Sequence, residues 1–183
     1  MFVSNDYTPN DIAIPDSFLT GPPPTPPVAR TIDWETTALP KNKGRVAFVV
    51  DNVLSREECA QLIALAEASV RVEGGASPWK PALISVGIGI EASAPGYRES
   101  DRIVWDQQEV ASRVGERIMA AEGVREKLAR FSRPDGTWKF SRVNERMRFL
   151  KYSKGHFFKR RFFSFFFFKK KKNLLVFQRL LGC

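Results

Sequence analysis

One histidine and two cysteines are the only nitrogen or sulfur metal donors of the usual kinds in this 183-residue chain. A mononuclear iron or zinc site commonly takes at least two His or Cys ligands, often with a carboxylate. His156 with the distant Cys59 and Cys183 argues against a self-contained site of that kind. His156 itself reads as a polar residue opening a hairpin strand. Two cysteines make neither a disulfide framework nor a metal cluster. Cys59 falls on the apolar face of a predicted helix and reads as a small buried hydrophobe, and Cys183 as a free thiol. No apolar run nears the roughly 18 residues that would span a bilayer. The opening MFVSNDYTPNDIAIPD lacks the basic and apolar regions of a secretory signal, so an intracellular protein is the default expectation. A phosphate loop is missing too. GIGIE (Gly87–Glu91) lacks the third glycine of GxGxxG, and no Walker lysine follows. No Ser or Cys sits in a nucleophile elbow.

Acidic residues are absent from Arg160–Cys183, which reads RRFFSFFFFKKKKNLLVFQRLLGC and holds seven Phe and seven Lys or Arg. Phe and Lys share the homopolymer codons TTT and AAA. The Phe/Lys run is therefore expected to be a pyrimidine-rich and then A-rich tract read through in frame, such as a retained intron beginning after Lys159. The net charge of +9 hides this asymmetry. Removing those seven of the 29 basic residues leaves 22, against 20 acidic residues, for 1–159. That body is nearly neutral, so nucleic acid is not an expected partner. The Phe162–Phe168 window is aggregation-prone, with lysines as flanking gatekeepers.

Residues 1–44 read as a Pro-rich disordered tail around GPPPTPP (Gly21–Pro27), a stiff polyproline II segment. The ordered part starts near Arg45. VAFVV (Val46–Val50) predicts a buried strand, and Asp51-Asn52 breaks it. Ser55 and Glu58 have the spacing of a capping box. Behind them Cys59, Leu62, Ile63, Ala66 and Val70 fall at helical spacing to about Ser69. ALISVGIGI (Ala82–Ile90) reads as a strand, and Glu91–Ser100 as a loop. A short extended piece, Arg102–Trp105, follows. Asp106 with Glu109 predicts a second cap, ahead of a helix carrying Val110, Val114, Ile118 and Ala121 on one stripe. Gly123 stops it, a shorter helix covers Val124–Phe131, and Ser132–Gly136 is a turn cluster. Arg146, Arg148, Leu150 and Tyr152 alternate with Met147, Phe149 and Lys151, which is strand periodicity. Another strand begins at His156.

Three segments carry a resemblance. They are V-A-F-V-V-D-N-V-L-S-R-E-E-C (Val46–Cys59), Y-R-E-S-D-R (Tyr97–Arg102) and N-E-R-M-R-F-L-K-Y-S-K-G-H-F-F-K (Asn144–Lys159). In this order they resemble the prolyl 4-hydroxylase-like 2-oxoglutarate/Fe(II)-dependent dioxygenases, over Arg45–Lys159. The family's third segment reads "NER-x-R-x-x-KY-x-x-G-x-F-F-K-P-H-x-D". The resemblance implies a double-stranded β-helix (jelly-roll) fold, here α+β and incomplete, with N-terminal support helices. It implies Fe(II) on an H-x-D pair and a distal His, with 2-oxoglutarate as cosubstrate and ascorbate in support. A distal Arg or Lys would hold the far carboxylate of 2-oxoglutarate. A protein or small molecule would be the substrate. By the same register the family's Pro, His and Asp fall on Arg160, Arg161 and Phe163, and none matches.

Tyr152 corresponds to a tyrosine that lines the 2-oxoglutarate pocket in that family, or equally to an aromatic filling the barrel interior. Arg98 and Arg102 are expected to be solvated loop residues, while Arg146 and Arg148 either approach acidic groups or substrate or, at least equally, are exposed arginines on a sheet surface. The chain is thus expected to be an inactive fragment of such an enzyme, with no residue of its own catalysing or holding metal. Exposed sheet edges and an uncovered apolar face would make it poorly soluble. The alternative is a non-enzymatic binding module whose basic aromatic tail meets membrane or nucleic acid.

Overall fold

The structure is a computed structural model and describes residues 8–87, 90–133 and 136–159. It is mixed α+β, with short antiparallel sheets that do not close. Among the described residues one compact unit holds 8–14, 60–107 and 146–159, and the other holds 15–59 and 108–145.

In the second of these units, β1 (Val28–Thr31) pairs antiparallel with β2 (Phe48–Asp51), from Val28 opposite Asp51 to Thr31 opposite Phe48. Strand β2 was expected to be buried, yet Val49 and the preceding Val46 are exposed. A two-stranded ribbon has only one partner to cover it, so half of each strand meets water. Asn52 then takes a positive φ of 62° and ends the strand. The capping box forms as the spacing predicts. The Glu58 amide donates to Ser55 Oγ at 3.2 Å, and the Ser55 amide donates to Glu58 Oε2 at 2.8 Å. It starts helix α1 (Arg56–Ala68). The division between the units falls inside this helix.

Helix α2 (Gln108–Met119) buries Val110 and Val114 of its predicted stripe, with Ala111 buried beside them. Asp106, expected to cap it, ends the preceding β-strand two residues before the helix, and its carboxylate accepts from Arg146 at 2.7 and 2.9 Å. Helix α3 (Val124–Ala129) follows Gly123, whose φ of 72° few other residues adopt cheaply.

The 15–44 segment differs from a disordered tail. Phe18 and Leu19 are buried, and Val28–Thr31 is β1. Two arginines one turn apart on α2 hold this segment through its carbonyls. Arg113 Nη1 donates to the carbonyls of Pro15 and Phe18, and Arg117 Nε donates to Gly21 O at 3.1 Å. Proline lacks the amide donor, but its carbonyl remains an acceptor. That capacity is what α2 uses.

In the first unit, α1 buries Leu62 and Ala66, and Val70 beyond its end is also buried. The Ala82–Ile90 run is two strands and not one. After β3 (Lys80–Pro81), β4 (Ile84–Gly87) pairs with β5 (Ile90–Ala92). Strand β6 (Arg98–Glu99) lies in the expected loop, and β7 (Asp101–Asp106) follows. The turn cluster near Ser132 joins β8 (Phe131–Arg133) to β9 (Gly136–Trp138) in the second unit. Back in the first, β10 (Arg146–Lys151) pairs with the whole of β7, and β3 takes the other edge of β7, in the order β10-β7-β3. Strand β11 (Phe157–Phe158) pairs with β6.

Two predictions follow from the packing of α2. Arg117 donates through Nη1 to Glu58 Oε2 at 2.8 Å, and their side chains are 5% and 20% exposed. Arg117→Ala leaves Glu58 short of its countercharge and should destabilise the protein by about 3 kcal/mol in urea unfolding. The hydrogen bond from Arg117, outweighing burial, holds the Glu58 carboxyl below its ordinary value of about 4.5. The unfolded chain therefore takes up the proton first as pH drops. The stabilisation is full above about pH 4.5 and is lost as pH falls through the folded value, and this part of the acid loss should be absent in Arg117→Ala. Independently, a Cβ at Gly115 would meet Val143 Cγ2 at 2.8 Å. Gly115→Ala should cost about 1–3 kcal/mol by overpacking. Adding Val143→Ala should make the double mutant less unstable than the two single costs summed.

Candidate functional site

The alternation of β7 and β10 sorts their side chains into two faces. Opposite residues share a face, so Arg102 with Leu150, Val104 with Arg148 and Asp106 with Arg146 lie together. Lys80 of β3 joins the Arg102 row. Ile103 and Trp105 point to the other side with Phe149, where the Trp105 and Phe149 rings lie 6.5 Å apart. Ile103 and Trp105 are buried there.

The first face is where charge gathers. Arg102 was expected to be solvated in a loop, but it is buried within β7. Glu91 of β5 makes this possible. Arg102 Nη1 and Nη2 donate to Glu91 Oε1 and Oε2 at 3.0 and 2.6 Å, a bidentate pair that supplies the countercharge to a guanidinium removed from water. These bonds, opposed by desolvation and helped by the charges of Arg148 and Arg146, hold the Glu91 carboxyl below its ordinary value. Arg146 and Arg148 are exposed, one of the two placements open to them. Arg146 pairs with Asp106 across the ladder and lowers that carboxyl too.

Arg98 also departs from a solvated loop residue. It lies in β6, is partly buried, and donates from Nε to Ser100 Oγ and from Nη1 to Leu83 O, each at 3.2 Å. Its guanidinium carbon sits 4.9 Å from the Phe158 ring centroid. Burial pushes this guanidinium below its ordinary value, against the opposing influence of the nearby Tyr152 phenol.

Tyr152, the one cosubstrate-binding candidate, follows directly on β10 and is 47% exposed. Tyr97 packs edge-on against Phe158 at 5.7 Å. The backbone of Gly155, at φ 88°, forms the turn that returns the chain from β10 to β11. His156 was expected to open a hairpin strand; it sits just before β11, which pairs with β6 and not with β10, and its amide donates to Ser153 O at 2.9 Å, while Nδ1 is buried without a hydrogen-bond partner among the described residues.

The structure thus draws Arg98, Arg102 and Tyr152, from two separate motifs, onto neighbouring strands. The partner that sequence reasoning missed is Glu91. Its signal was present. Arg102 opens directly onto the apolar run Ile103–Trp105, and Glu91 is the one acid in the apolar ALISVGIGIE run. Among the described residues no group of three or more His, Cys, Asp or Glu side chains is placed to hold a metal ion. Nor is any helix among them long and apolar enough to cross a membrane. Positions 160, 161 and 163, where the dioxygenase register would put Pro, His and Asp, lie outside the described residues, as does the Phe162–Phe168 window. No protein-family profile, no curated protein and no solved structure matches the chain.

The two ion pairs of this face should separate cleanly in mutagenesis. Glu91→Gln strips the countercharge from an arginine whose side chain is 5% exposed and should cost about 2 kcal/mol in urea unfolding. Asp106→Asn breaks a pair whose members are 53% and 50% exposed. That change should shift stability by less than about 1 kcal/mol.

Proposed function

We infer that the chain derives from the N-terminal portion of a prolyl 4-hydroxylase-like 2-oxoglutarate/Fe(II)-dependent dioxygenase and has lost that activity. On this reading the open antiparallel sheets are the first strands of a double-stranded β-helix. The strand pairing carries the inference. Segments Tyr97–Arg102 and Asn144–Lys159 are separated by 41 residues and each resembles a motif of that family. They lie side by side twice, in β7 with β10 and in β6 with β11. Motifs that build one site have to share a sheet, and this pairing supplies that support.

The side chains present do not fit Fe(II). The facial triad takes two imidazoles and a carboxylate on one cation, and the sequence holds a single histidine. No catalytic step is therefore assigned. The cosubstrate fares better. Tyr152 and Arg98 offer a phenol donor and a desolvated guanidinium to a carboxylate such as those of 2-oxoglutarate. The first unit also exposes Val86, Ile90, Leu150 and Phe158. Together with the Phe162–Phe168 run, this apolar surface favours aggregation over solubility.

The test is turnover. Incubating the full chain with Fe(II), ascorbate and 2-oxoglutarate labelled at C1 should release no labelled CO₂ above a blank without protein. Sustained release that scales with protein concentration would overturn the reading.

A further inference from the structure

The second unit holds an open cleft of about 400 Å³ that no sequence motif announces. It is built by the connection between β1 and β2, with Lys127 of α3 at its rim. The ladder continues one step past the strands, Ile32 donating to Ala47 O at 3.1 Å, and the chain then turns through short 3-10 segments at Trp34–Thr36 and Pro40–Asn42. Clefts of this size, mostly apolar with a few polar groups, are the usual form of small-molecule sites.

Ile32, Trp34, Val46 and Phe48 supply the apolar lining. The indole N–H of Trp34 is already committed to Arg45 O at 2.9 Å, so this ring asks nothing polar of a ligand. Charge on the lining is unbalanced. Lys43 is paired with Glu35 at 2.9 Å, and Asp33 accepts the Glu35 amide as a helix cap. Lys127 instead donates to a neutral hydroxyl, Thr31 Oγ1, at 3.0 Å. Neither Lys127 nor Arg45 has a carboxylate partner among the described residues. Three cations therefore face two acids, counting Glu35, and leave one net positive charge. A neutral apolar ligand would leave that charge unanswered. A polyanion would exceed it and find few further donors.

We propose that this cleft binds a flat apolar monoacid, an aromatic carboxylate, with its ring against Trp34 and its carboxylate on Lys127. The proposal concerns the second unit alone and does not rest on the dioxygenase reading. The test uses the full chain fused to a soluble carrier, with the carrier alone as blank, and 2-naphthoate as probe in calorimetric titration. Binding should be saturable at one site per chain. Lys127→Ala, which removes a surface ammonium with one neutral partner, should weaken it roughly tenfold, and Lys127→Arg should restore most of the loss. The neutral 2-naphthamide should also bind roughly tenfold more weakly than the acid, as expected when one charged contact is lost. Inorganic phosphate at the probe's concentration should not displace it. Absence of saturable binding, equal affinity for acid and amide, insensitivity to Lys127→Ala, or displacement by phosphate would each overturn the proposal.

Discussion

A single guanidinium organises the second unit. Arg117 of α2 donates to Glu58 at the start of α1, to Val53 O after β2 and to Gly21 O in the Pro-rich segment. Glu58 in turn closes the capping box with Ser55. Three chain segments thus converge on one buried charge of α2. Burying it costs several kcal/mol of desolvation, which its partners must offset together. An apolar pair of the same shape could match the net stability. It could not satisfy two backbone carbonyls and a helix cap at once. The ion pair therefore acts on register. It fixes which residue of α2 faces which carbonyl, and Arg113 one turn away repeats the device on Pro15 and Phe18.

The first unit solves a related problem differently. A three-stranded sheet with Ile103 and Trp105 on one side would ordinarily leave its other side to water. Here β4 and β5 bring Glu91 over Arg102, so part of that side is also dry. Further along the same face Arg146 and Asp106 stay wet, and their bond is correspondingly cheap to lose. Burial, and not the count of ion pairs, separates the contact that holds the sheet together from the contact that decorates it.

These two devices explain which parts of the architecture could be read in advance. Ser55–Glu58, the α2 stripe and the β10 alternation are local patterns, each decided within about ten residues, and each forms as its spacing predicts. Features set by distant partners were not legible. Val28–Thr31 becomes a strand only because β2 offers an edge, and nothing local to GPPPTPP reveals that α2 will hold its carbonyls. Asp106 has the spacing of a helix cap, but Arg146, forty residues on, competes for the same carboxylate. Of the candidate site, Tyr152 and the two motif arginines were visible as residue types. The burial of Arg102 was not, because it depends on Glu91 of β5, eleven residues away in the sequence.

On the dioxygenase reading, the lack of iron ligands is decided by residue type and does not wait on the placement of residues beyond Lys159. Ligands at i and i+2 on a strand share a face, which is why an H-x-D pair can grip one cation. The corresponding positions hold Arg161 and Phe163. A guanidinium stays protonated at any ordinary pH and offers no lone pair, and a phenyl ring has no donor atom. No backbone arrangement converts that pair into ligands. The described strands carry guanidinium groups desolvated by their neighbours, with a phenol near one of them. Such groups recognise charge without performing redox chemistry. If the fold descends from an oxygenase, the cosubstrate's half of the site has outlasted the metal's half, because Arg98 and Arg102 also bond to Leu83 O and Glu91 within their own unit and the sheet needs them.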